Sequence, residues 1–195
     1  DSTIAAAPCW VPGKLELFYT SYRAVRPEIY MQDLRSGDRK KIFSFPGMSS
    51  SPAVSPDGSR VAMILSKSGS PDLWVGNGDG SGMKPLTDTK ELEASASSSP
   101  DESSICFTST ESGRAALYTV SAGGGAMTKL RTGGVTQCTE PDWSPDGKWI
   151  ACLRFRDTSG ELVLLPVSGG AERVLSPVLP TRYGLSYRHV SWSPD

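Results

Sequence analysis

A four-residue turn motif returns along this chain at nearly constant spacing, and that period limits the folds open to it. Ser55-Pro56-Asp57-Gly58 recurs as Ser99-Pro100-Asp101-Glu102, as Ser144-Pro145-Asp146-Gly147 and finally as Ser193-Pro194-Asp195. Val11-Pro12-Gly13 is a degenerate first copy. The prolines at 12, 56, 100, 145 and 194 are 44, 44, 45 and 49 residues apart. A period of roughly 40–45 residues is what a four-stranded propeller blade occupies. The motif itself is turn chemistry: Pro fixes φ, Asp bonds nearby backbone N–H groups, and Gly accepts a positive φ.

The rest of each unit repeats as well. Five residues past each proline comes an apolar residue, Leu17, Val61, Ile105 or Ile150, that opens a short strand. A turn follows, with Pro27, Gly69, Gly113 or Gly160 in or near it. A second apolar strand begins at Ile29, Leu73, Leu117 or Leu162, and a glycine turn leads to a polar strand around Ile42, Leu86, Leu130 or Leu175. Four short strands separated by turn signals make an antiparallel meander. One such sheet cannot bury both faces, and radial stacking of several solves that. The expected fold is all-β, a β-propeller with four complete four-stranded blades and the start of a fifth. The units run over 7–44, 51–88, 94–132, 139–177 and 188–195. The break inside the last turn motif points to further blades.

Residues within this frame have structural readings first. Arg39-Lys40-Lys41 marks a solvated outer edge that resists pairing with other chains. The glycine-rich stretch 76–82 aligns with the ordinary hairpin turn of the other units; it lacks the Lys-Ser/Thr ending of a phosphate loop and the distal Glu of a calcium loop. Trp10, Trp143 and Trp192 stand two residues before their prolines and are expected to pack between blades.

Composition excludes several functions. A net charge of −1 with 20 basic and 21 acidic residues offers no field for a phosphate backbone, so nucleic acid is not an expected partner. No apolar run reaches the roughly 18 residues of a membrane helix. Asp1–Pro8 lacks the features of a signal peptide, which does not place the chain in the cytosol. Cys9, Cys106, Cys138 and Cys152 show no metal-ligand spacing and are read as free thiols. A single histidine cannot build a multi-His metal site, and no nucleophile motif accompanies it. No cofactor, metal or catalytic residue is expected.

The repeat resembles that of TolB-like propellers, and all four units carry it. The stretch 43–58, F-S-F-P-G-M-S-S-S-P-A-V-S-P-D-G, followed by L-S-K-S-G at 65–69, is similar to a segment of the TolB family, as is Thr139-Glu140-Pro141-Asp142-Trp143. That resemblance implies a six-bladed propeller in the periplasm, part of the Tol–Pal envelope system. It implies recognition of the lipoprotein Pal at one channel mouth, with other Tol proteins reached through an N-terminal α/β domain that this chain does not contain. Two features depart from the pattern: Met48 stands where the family often has His, and the third unit lacks both the tryptophan and the glycine of its motif. A related repeat occurs in prolyl-oligopeptidase and tricorn-type peptidases, so a substrate-gating propeller is the alternative.

Positions five residues before each proline, Ala7, Ser51, Ser95, Glu140 and His189, precede the inner strands and are expected near the channel mouth. By that register the candidate partner-binding rim is Met48, Ser49, Ser51, Thr139, Glu140, Tyr187, Arg188 and His189.

Overall fold

The computed structural model describes residues 4–43, 45, 47–67, 69–131, 137–156, 159–177 and 189–193. Among them no helix occurs, and 16 strands form four four-stranded antiparallel sheets, each running in chain order. The first blade holds β1 (Ala5–Trp10), β2 (Glu16–Ser21), β3 (Glu28–Asp33) and β4 (Arg39–Phe43). The second holds β5 (Ser49–Val54), β6 (Arg60–Leu65), β7 (Asp72–Asn77) and β8 (Lys84–Pro85). The third holds β9 (Glu93–Ser98), β10 (Ser104–Ser109), β11 (Ala116–Ser121) and β12 (Thr128–Lys129). The fourth holds β13 (Gln137–Trp143), β14 (Trp149–Arg156), β15 (Ser159–Pro166) and β16 (Arg173–Pro177). The first strands β1, β5, β9 and β13 lie against one another in succession, which makes them the inner strands of a propeller.

The repeated motif builds the turn from the first strand of each blade to the second. Ser55 Oγ donates to Asp57 Oδ1 at 2.6 Å and accepts from Arg60 N at 2.9 Å. Ser99 repeats both bonds with Asp101 and Ser104, and Ser144 repeats them with Asp146 and Trp149. The same carboxylates accept from the backbone N–H two residues on. These bonds hold Asp57 well below the usual carboxylate range, at about 2, with Ser55 as the largest cause. Gly58 and Gly147 close their turns at φ 74° and 69°. Glu102 fills the same position in the third blade at φ 61°, a left-handed conformation that costs a side-chain-bearing residue about 1–2 kcal/mol. Its carboxylate returns something: Oε1 accepts from Asp57 N, 2.9 Å away on the preceding blade.

The core lies between blades and not within them. Alternate residues of each strand point to opposite faces, so each blade feeds two clusters. Val61, Met63 and Leu65 of β6 pack toward the first blade with Phe18, Ile29 and Phe43. Ala62 and Ile64 pack the other way, with Ile105, Phe107 and Tyr118 of the third blade. Cys106 and Leu117 then join Cys138, Ile150, Cys152 and Val163 between the third and fourth. No disulfide joins any two of the four cysteines. Burial pushes the Cys106 thiol up, and hydrogen bonding with Cys138 does the same for Cys152, so neither is a ready nucleophile.

Each outer strand is an edge, as the basic residues suggested. Arg39 lies 3.9 Å over the Tyr30 ring, and Lys41 pairs with Glu28 at 3.2 Å. The hairpin at 76–82 is a turn, with Gly80 N donating to Asn77 O. Two expectations need correction. Gly160 lies inside β15, opposite Phe155, because β14 and β15 run to eight residues each. Trp10 is 59% exposed. The position before the turn faces the preceding blade, and no described blade precedes the first. Trp143 does pack between blades, against the cluster shared by the third and fourth. Among the described residues no helix is long and apolar enough to cross a membrane.

Candidate functional site at the channel mouth

Every inner strand breaks its pairing at the same place. Register shifts fall between Ala6 and Cys9, between Ser50 and Ala53, between Ala94 and Ala96, and between Thr139 and Asp142. The residue inside each break has a positive φ: Ala7 50°, Ser51 54°, Ser95 47° and Glu140 54°. These are β-bulges, which kink a strand and re-aim a side chain. Pro8, Pro52 and Pro141 follow three of them, and a residue without an N–H fits where ladder bonding is interrupted.

The bulges bring adjacent blades into contact. Ser51 N donates to Thr20 Oγ1 at 3.1 Å. Ser95 Oγ donates to Glu140 Oε1 at 2.6 Å, and the other oxygen of Glu140 lies 3.4 Å from His189 Nδ1. Glu140 thus joins the third blade, the fourth and the segment 189–193. The Glu140 hydrogen bond raises the His189 pKa above its ordinary value, and the Glu140 and Asp142 charges add to it against partial burial.

Two residues further along, a second set of bonds seats one blade on the next. Val54 N donates to Cys9 Sγ, Trp143 N to Ser97 Oγ, and Trp192 N to Asp142 Oδ2 at 3.0 Å. Asp142 also accepts from Ser97 Oγ, while its backbone carbonyl accepts from the Trp192 indole. Desolvation raises the Asp142 pKa. Residues 189–193 therefore occupy the place of a fifth inner strand.

This arrangement suits recognition more than reaction. A serine nucleophile needs its hydroxyl against a base, with the carboxylate behind it. Here the carboxylate stands between hydroxyl and imidazole. Among the described residues no three His, Cys, Asp or Glu side chains converge as metal ligands.

The sequence matches the TolB beta propeller domain family over residues 1–195. The chain belongs to the TolB β-propeller family. The Tol-Pal system protein TolB of Francisella tularensis subsp. tularensis is 30% identical over 151 residues, 76% of this chain and 34% of that protein. The crystal structure of TolB from Acinetobacter baumannii is similar with a TM-score of 0.78 at 28% identity, over 89% of this chain and 44% of that one. A prolyl endopeptidase structure gives a TM-score of 0.64 at 19% identity, over 91% of this chain and 30% of that one, a likeness of fold alone. The matched residues cover 34% and 44% of the length of these two TolB proteins, so the chain spans less than half of either.

In this TolB-family propeller the residues marked by the sequence separate. Glu140 and His189 meet, and Thr139 adjoins them, half-buried. Ser51 lies at its own bulge, and Met48, just before β5, is exposed. Ser49 is fully buried, so it supports the strand and presents nothing to a partner. Tyr187 and Arg188 lie outside the described residues. The sequence reading passed over Ser95 and Asp142 as members of the site, although the register that selected Glu140 also selects Ser95.

Proposed function

We propose that this chain is the partner-binding propeller of a Tol–Pal envelope component, acting in the periplasm without chemistry of its own. Its channel mouth, through Met48, Ser51, Thr139, Glu140 and His189 together with Tyr187 and Arg188, receives a Pal-like peptidoglycan-associated lipoprotein. The observation that carries this reading is the continuous Ser95–Glu140–His189 link across successive blades. It holds a carboxylate and an imidazole at fixed positions on a rigid scaffold, the usual setting for binding residues. The family match supports the assignment to the Tol–Pal system. The peptidase reading has only a likeness of fold behind it, at 19% identity.

The test is a calorimetric titration against the periplasmic domain of the cognate Pal-type lipoprotein. A saturable one-to-one complex is expected, weakened about tenfold or more by Glu140→Ala and by His189→Ala, as for central polar contacts. No complex at high micromolar concentration would refute the proposal.

A further inference from the structure

Two of the three buried thiols at the junction of the third and fourth blades touch. Cys106 comes from β10, Cys138 from the inner strand β13 and Cys152 from β14, and all three are fully buried in one cluster with Leu117, Ile150 and Val163. Cys138 and Cys152 are hydrogen-bonded to each other through their side chains. They belong to neighbouring antiparallel strands and are 14 positions apart in sequence. Cys106 belongs to the other blade.

The pair frames the bulge that carries Glu140. Thr139 is opposite Leu153 and Asp142 is opposite Ala151, so Glu140 and Pro141 together face the single residue Cys152. Cys138 stands two residues before Glu140 on the same strand, opposite Arg154. The arrangement is particular to this blade. Seven residues before the turn proline the other blades have Ala5, Ser49 and Glu93, and seven residues after it they have Tyr19, Met63 and Phe107. The fourth blade alone has a thiol at either position, and it has one at both. A cross-strand pair already in contact has to close only to about 2 Å to be covalent.

We propose that Cys138 and Cys152 form a disulfide when the chain folds in an oxidising compartment, stapling the strand that carries Glu140 to its neighbour. The oxidant is a dithiol–disulfide exchange protein or a small-molecule disulfide. One cysteine thiolate attacks a sulfur of the oxidant's disulfide and expels the other sulfur as a thiolate. The second cysteine thiolate then attacks the mixed disulfide and expels the remaining one. Two protons leave the cysteines, and the oxidant ends as two thiols. The exchange takes place before the third blade closes over the fourth, because once folded both thiols are sealed from solvent. The same burial then shields the bond from reductants. The proposal rests on the periplasmic reading above for its oxidant, and not on the partner.

The test is to refold the chain in mixed oxidised and reduced glutathione, block the remaining thiols and map a non-reducing digest by mass spectrometry. One crosslinked peptide joining Cys138 to Cys152 is expected, with Cys9 and Cys106 blocked as thiols. The melting temperature should be roughly 5–10 °C above that of chain refolded in reductant, as closing a loop of about 15 residues predicts. Cys106→Ala should keep that difference and Cys138→Ser should abolish it; the parent's peptide map decides even where a variant fails to fold. Four blocked thiols after oxidative refolding, a link through Cys9 or Cys106, or equal melting temperatures of the oxidised and reduced parent would overturn the proposal. The lipoprotein titration separates the two claims. A mapped disulfide without a lipoprotein complex keeps the staple and removes the partner; a complex formed by a chain with four thiols does the reverse.

Discussion

Glu102 shows how a single side chain balances two local terms. Its left-handed φ of 61° is strained, and its carboxylate offsets that by accepting from Asp57 N. Glu102→Ala keeps the strain and loses the bond; Glu102→Gly loses both. Urea denaturation should therefore find the glycine variant about 1 kcal/mol more stable than the alanine variant. Ser99 carries the opposite lesson. It is buried, donates to Asp101 and accepts from Ser104 N, so Ser99→Ala should cost about 1–2 kcal/mol. These turns were legible from composition because their bonding is complete within five residues. What Glu102 does for the neighbouring blade was not, because Asp57 is 45 positions away in sequence.

The inner strand is the element on which the site depends. Its bulge sets the positions of Ser51, Ser95 and Glu140, and the seat two residues later locks each blade to the next. Asp142→Ala removes the acceptor of Trp192 N. Hydrogen exchange should then find the Trp192 amide opening about tenfold faster or more, with the amides of β14 unchanged. The period told which residues are equivalent, and that was enough to group Glu140 with His189. It did not tell which faces have a neighbour, since that depends on blades packed across the chain. Trp10 was misjudged for this reason, and Ser49, one residue from the exposed Met48, turned out buried. Strand alternation inverts exposure between such neighbours, and only the register fixes which one points out.

For the whole molecule, pH acts through two sets of groups with opposite signs. The turn carboxylates Asp57, Asp101 and Asp146 are held below the usual carboxylate range, chiefly by their serine partners. Their stabilisation is complete above about pH 4 and is lost as pH falls toward 2. His189 is raised by Glu140, so its contribution is complete below about pH 6.5 and is lost as pH rises through its folded value. Melting curves at pH 6 and pH 8 should show an advantage of the parent chain over His189→Gln at pH 6 that shrinks at pH 8. The expected all-β propeller appeared in full for the described residues because every level of the sequence agreed with it: turns, alternation and period.

The central claim is that one mouth of these stacked blades receives a protein. A photo-crosslinking amino acid placed at position 48 or 92, and in separate variants at 79 or 146, tests it directly against the lipoprotein domain. Crosslinks from 48 and 92 with none from 79 and 146 are the predicted result. Crosslinks from 79 or 146, or from no position, would contradict it.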